Sequence, residues 1–396
     1  MKKALRMVAG ALLVAPALLV AQAPNAREVH DRAIVIDTHA DTTQRLIFDP
    51  KFNIAERHGD GNIDIPRMRD GGMDALFFSI WVPSEVTGPI AVKRAFDQID
   101  AVREAVRQHP DALMLATTAA DVRKAVSEKK IAALMGVEGG HMIDDDIRQL
   151  RNFAALGVRY MTLTHFKNNN WADSSTDKPQ HNGLTAFGKD VVREMNRLGM
   201  MIDISHVADK TFFDVLALTT APVIASHSSS RVIANHPRNM TDEMMKALAR
   251  NGGVIMINYH AGFLSEEFRV AAEKEHGDVV TAMSAMSKKC GGNEACTTME
   301  SERIDHELMA KGTLPKVGWE KIVEHIDHAV KVAGADHVGL GSDFDGATMP
   351  LGMEDVSKLP KITEALLAKG YTPQDVTKIL GGNILRVMEA VEKAVK

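Results

Sequence analysis

Eight apolar runs of strand length, beginning near residues 34, 73, 131, 158, 200, 222, 254 and 337, are separated by stretches with apolar residues at helical spacing. Runs that are apolar throughout predict strands buried on both faces, the condition of a parallel sheet covered by helices. Eight strand–helix units in one chain predict a closed (β/α)8 TIM barrel, an α/β fold of one domain. An open doubly wound sheet is the alternative. It fits less well, because no Gly-x-Gly-x-x-Gly turn follows the first run, Ile34-Val35-Ile36. The length of 396 residues suits one barrel-sized core.

Turn and cap residues mark the spaces between the runs. Pro66 opens a short helix stopped at Gly71-Gly72, and His109-Pro110 ends a helix from Ile90 to Gln108. Gly157 and Gly199 stop the helices that precede the next two runs, and Thr241 caps one that extends to Gly252-Gly253. A long polar, Met-rich insert follows His260, and a helix from Trp319 to Ala333 leads into the last strand. Thr372 and Pro373 start the closing helix.

The runs end in chemistry. His39 and Asp41 stand two residues apart at the end of the first, so both side chains leave on the same side, a spacing that suits two ligands of one metal ion. Glu138, His165, His206, His227 and Asp343 end later runs. A barrel gathers all strand C-termini at one mouth. Four histidines and three carboxylates crowded there are hard to explain structurally, because the carboxylates repel without a cation, and two divalent ions bridged by a carboxylate resolve the problem. Nitrogen and oxygen donors without thiolate suit zinc, with manganese, cobalt or iron as alternatives. His58, His141, His181, His236 and His260 lie in loops that could approach the mouth, whereas His276 and the other histidines, with Met283 and Met286, take structural or packing roles.

Both ends of the chain and its cysteines bear on location. Lys2, Lys3 and Arg6 precede an apolar run from Met7 to Val20, and Ala21-Gln22-Ala23 has the form of a cleavage site, so residues 1–23 read as an export signal and 24–396 as the barrel domain. Pro24 directly after that cut is awkward and leaves the cleavage position open. The C-terminus carries no apolar tail, which predicts a periplasmic or secreted protein without a stable membrane anchor. Cys290 and Cys296, close together in a polar Gly-containing loop, suit a small disulfide better than a metal site. A formal net charge of -5 without basic runs excludes nucleic acid as an expected partner.

Seven motifs then stand in one order: Ile36-Asp37-Thr38-His39-Ala40-Asp41, Gly136-Val137-Glu138-Gly139, Leu163-Thr164-His165 with Asn170-Trp171-Ala172-Asp173, Asp203-Ile204-Ser205-His206, Ser226-His227-Ser228-Ser229, His236-Pro237-Arg238-Asn239 and Gly341-Ser342-Asp343-Phe344-Asp345-Gly346. In this the chain resembles the membrane (renal) dipeptidase family, peptidase family M19, a binuclear-zinc branch of the amidohydrolase superfamily. The resemblance runs from about residue 28 to the C-terminus. It implies two zinc ions per chain, one on His39 and Asp41, the other on His206 and His227, with Glu138 bridging. It also implies that His165 contacts the substrate carbonyl, Arg238 the terminal carboxylate, and Asp343 handles protons. A small peptide substrate and a homodimer are implied as well. The segment from about Ser265 to Pro315 is longer than in mammalian members and resembles bacterial relatives.

The chemistry follows from the residue types. Two divalent ions lower the pKa of a shared water, and the resulting hydroxide attacks the scissile carbonyl. Arg238 offers a planar fork for a carboxylate, which restricts substrates to short peptides with a free C-terminus. A hydrolase of N-acyl amino acids or lactones on the same scaffold, and a silent metal-holding binding protein, are the alternatives. Asp343 and His165 speak against the last, since a binder has no need of a proton shuttle.

Overall fold

The eight apolar runs become eight of the nine strands, which are β1 (Ile36–Ala40), β2 (Ala75–Trp81), β3 (Leu113–Leu115), β4 (Ile131–Glu138), β5 (Val158–Thr162), β6 (Met201–Asp203), β7 (Ile224–Ser228), β8 (Val254–Ile257) and β9 (Val338–Leu340). The structure is a computed structural model and describes residues 25–395. The apolar run Met7–Val20 and the triplet Ala21-Gln22-Ala23 lie outside the described residues. Among the described residues, no helix is long and apolar enough to cross a membrane.

All strand pairs are parallel, in the order β2-β1-β9-β8-β7-β6-β5-β4. The pairing of β2 with β4, from Ala75 opposite Ala132 to Trp81 opposite Glu138, closes the ring of eight. The expected barrel is therefore present as one domain. The sequence reading passed over β3 and the helix Ala119–Ser127 that follows it. β2 occupies one edge of β4 throughout, so β3 and β5 share the other: β3 pairs at Ile131–Ala133 and β5 from Met135 onward. Three residues are too few to show a period, but the helix carried a readable signal. Thr118 Oγ1 accepts from the Asp121 amide at 3.0 Å while Asp121 Oδ2 accepts from the Thr118 amide at 3.0 Å, a reciprocal cap.

Alternating strand residues serve two cores. Ile36, Phe77, Leu134, Tyr160, Met201 and Met256 form the inner one, plugged by Ile384, Leu385 and Met388 of the last helix, Asn383–Lys393. Leu76, Phe78, Met135, Met161 and Ile255 face the surrounding helices. The insert is folded into the helices Ala261–Leu264, Glu266–His276, Val279–Lys289 and Glu294–Lys311. Cys290 and Cys296 are joined in a disulfide with 5.8 Å between their Cα atoms.

Candidate metal centre

At the mouth, the two oxygens of Glu138 face two different sets of donors. Oε2 lies 3.5 Å from His39 Nε2, which is itself 3.4 Å from Asp41 Oδ1. Oε1 lies 2.8 Å from His206 Nε2 and 3.1 Å from His227 Nε2. His165 Nε2 is 3.9 Å from Oε1, and Asp343 Oδ1 is 3.8 Å from His39 Nε2, so both flank the cluster within a ligand's reach. His39, Asp41, Glu138, His165, His206 and His227 are all buried. The structure thus brings together all seven strand-end residues that the sequence singled out.

Hydrogen bonds beneath the cluster fix which ring nitrogens face it. Ser226 Oγ donates its only proton to Asp203 Oδ2 at 2.6 Å, so at 2.7 Å it must accept from His227 Nδ1. Tyr160 Oη donates to the Thr38 carbonyl at 3.0 Å and likewise accepts from His39 Nδ1 at 2.9 Å. Each Nδ1 therefore carries a proton, which makes Nε2 the ring's lone-pair donor towards the carboxylates. Tyr160 reaches His39 only because Gly136 of β4 has no side chain; a Cβ there would enter the tyrosine ring. The sequence reading missed these partners, Tyr160, Ser226 and Asp203.

These donors fit divalent metal. His39 Nε2 and Asp41 Oδ1 are buried with no hydrogen-bond partner among the described residues, and His206 Nε2 lies only 3.0 Å from His227 Nε2. Burial, with repulsion from Glu138 and Asp343, pushes Asp41 up to about 7. Burial would raise Glu138 too, but His39, His165, His206 and His227 outweigh it and hold the carboxyl well below its ordinary range. Burial lowers His206 and His227, which keeps both imidazoles neutral. A cation between these groups pairs the orphaned oxygen and lone pairs at once. Backbone strain gathers here as well, with positive φ at His206 (66°) and Asp343 (67°). Gly346 belongs to the same turn, where a Cβ would run into Asp41 and Asp343.

The family model described as membrane dipeptidase, peptidase family M19, matches residues 23–396. The chain belongs to that family. Similar solved structures include the dipeptidase AC, a metallopeptidase of family M19, with 28% identity, 90% of this chain and 98% of that chain covered, and a TM-score of 0.75. The probable dipeptidase PvdM from Pseudomonas aeruginosa is 29% identical over 93% of this chain and 98% of that chain, with a TM-score of 0.77. A metallopeptidase from Rhodobacter sphaeroides, liganded with a phosphinate mimic of the dipeptide L-Ala-D-Ala, is 26% identical over 91% of this chain and 99% of that chain, with a TM-score of 0.74. This chain is thus a metal-dependent dipeptidase.

In this dipeptidase the cluster floors a cavity of about 450 Å³. Arg238 lies in its wall, buried, with its guanidinium carbon 5.4 Å from the Phe263 ring centre. Its Nη2 donates to the His227 carbonyl at 3.1 Å, while Nε and Nη1 have no partner among the described residues. Burial lowers it to about 10, which leaves it charged at neutral pH. Of the loop histidines, His236 and His260 line the cavity. His58 and His181 instead bond to the Asn53 and Asn169 carbonyls, and His141 is absent from the lining. His276, Met283 and Met286, expected from the sequence in structural or packing roles, line the cavity from the insert, and His276 also pairs with Asp305.

Proposed function

We propose that this dipeptidase uses two zinc ions to hydrolyse dipeptides with a free C-terminal carboxylate, of L-Xaa-L-Xaa and L-Xaa-D-Xaa form. The observation that carries the reading is the divided environment of Glu138, with His39 and Asp41 beside one oxygen and His206 and His227 beside the other. His39 and Asp41 would hold one ion, His206 and His227 the second, and Glu138 both. When bound, such ions supply Lewis acidity, polarising the scissile carbonyl and lowering the pKa of the attacking water.

The protein's own groups do the rest. Arg238 has Nε and Nη1 free for the substrate carboxylate, a charge-matched fork that fixes where the peptide bond lies. His165, whose pKa burial lowers, offers a neutral N–H to the carbonyl oxygen as negative charge develops there. Asn258 Nδ2 donates to Asp343 Oδ2 at 2.9 Å and orients the carboxylate. Asp343 takes the proton of the attacking water and returns it to the leaving amine. An N-acyl amino acid carries the same carboxylate for Arg238 and is the second reading.

The test is hydrolysis of L-L and L-D dipeptides by purified mature protein, before and after chelation and zinc restoration, with Asp343→Asn alongside. Activity lost on chelation, regained with zinc, and absent from a metal-loaded Asn variant is the expected result. A metal-loaded enzyme that spares every dipeptide but cleaves N-acyl amino acids or lactones would replace the substrate assignment. Residues 1–23 are proposed to direct export to the periplasm or beyond, checked by N-terminal sequencing of the mature protein. The expected homodimer is checked by light scattering.

A further inference from the structure

Val279, Ala282, Met283 and Met286 fall at the i, i+3, i+4, i+7 spacing of one helix face. Such a face ordinarily packs into a core, yet no residue of the helix Val279–Lys289 is buried. All four instead line the cavity that contains Glu138, Arg238 and Asp343. Neighbouring charges are already satisfied: Arg269 Nη1 donates to Glu273 Oε1 at 2.7 Å, and Asp305 lies 3.0 Å from His276 and accepts from Thr348 Oγ1 at 2.7 Å. From Val279 to Met286 the helix therefore presents an apolar face to a ligand, and Lys289, its last residue, adds a charged group to the lining.

The helix is braced at both ends. Before it, the His276–Asp305 pair joins the helix Glu266–His276 to the helix Glu294–Lys311. After it, the disulfide between Cys290 and Cys296 ties its end to the helix Glu294–Lys311, and Asn293 Nδ2 donates to the Phe48 carbonyl at 3.3 Å, which fastens the turn to the barrel. A wall held this way can select by shape.

We propose that this helix is the side-chain specificity wall of the dipeptidase, with Val279, Met283 and Met286 receiving a large apolar side chain of the dipeptide. Substrates bearing Leu, Met or Phe are then preferred over those bearing only Ala. The inference rests on the dipeptide substrate proposed above and narrows it. Water leaving an apolar wall drives such binding, and unbranched, polarisable methionine side chains adapt to apolar groups of different shape.

The experiment compares kcat/KM for L-Leu-L-Leu, L-Leu-L-Ala, L-Ala-L-Leu and L-Ala-L-Ala, using the zinc-loaded enzyme, the double variant Met283→Gln with Met286→Gln, and Ser284→Gln on the exposed face of the same helix. At least one leucine dipeptide is expected to exceed L-Ala-L-Ala by about 10-fold or more, the scale on which an apolar pocket rewards added methylenes. The double variant is expected to bring that ratio down by roughly 5-fold or more, while Ser284→Gln preserves it. Met286→Gln alone serves if the double variant fails to fold. Equal rates for all four peptides, or a ratio that the methionine changes leave intact, would overturn the wall and leave the dipeptidase reading standing. If none of the four is cleaved by metal-loaded enzyme, the substrate reading falls and this inference with it.

Discussion

Replacing Arg238 by Met keeps an unbranched, flexible apolar stem and removes the charged guanidinium. Arg238 is 3% exposed, and among the described residues only its Nη2 is engaged, by the His227 carbonyl at 3.1 Å. Nε and Nη1 are buried without a partner among the described residues and are the donors proposed for the substrate carboxylate. Two charge-assisted hydrogen bonds at roughly 1.5–3 kcal/mol each make about 3–6 kcal/mol of lost transition-state binding, or about 10²–10⁴ in kcat/KM. Stability should move the other way or not at all, because the variant no longer buries a charge without a carboxylate partner. The assay is kcat/KM on a dipeptide and on its C-terminal amide, beside a urea unfolding curve. Wild-type enzyme is expected to favour the free carboxylate strongly, and Arg238→Met to erase that preference while unfolding at the same or higher urea concentration. If the variant still discriminates acid from amide as the wild type does, Arg238 does not hold the carboxylate and the argument from its free donors is wrong.

Tyr160→Phe keeps the ring over Gly136 but takes the acceptor from His39 Nδ1. Metal affinity measured by chelator competition is expected to drop about 10–100-fold, and an unchanged affinity would remove Tyr160 as a positioning residue. Gly136→Ala drives a Cβ into that ring and is expected to cost roughly 1–3 kcal/mol in denaturant unfolding. Asp41, raised to about 7, must lose its proton to bind metal, and so must His39, which against its burial Glu138 and Asp41 hold well above its ordinary value, so apparent affinity is expected to weaken as pH falls below 7. The decline should approach about tenfold per pH unit for each competing proton, and a flat titration between pH 5 and pH 8 would count against this ligand pair.

Much of this site was legible because its information is local. A strand's apolar run stops where the strand stops, and in a parallel barrel that stop is the mouth, so His39, Asp41, Glu138, His165, His206, His227 and Asp343 could be placed at one rim without coordinates. Arg238 was found through its motif, but its two free donors appeared only with its surroundings. The bonds that set the imidazole tautomers were hidden for a different reason. Tyr160 and His39 are 121 residues apart, and Ser226 is read in isolation as an ordinary strand serine. β3 was hidden by its length, and the pairing of β2 with β4 runs past it in the chain.

Periodicity alone determined that this chain makes buried parallel strands between helices and that acids and imidazoles end those strands, since both follow from side-chain direction along a single element. Tertiary structure decided which oxygen of Glu138 faces which histidines, which ring nitrogen of His39 and of His227 is free, and whether the apolar face of Val279–Lys289 meets core or cavity. Those outcomes depend on the register and closure of distant segments, and the spacing of residues within one segment carries no record of what lies across from it.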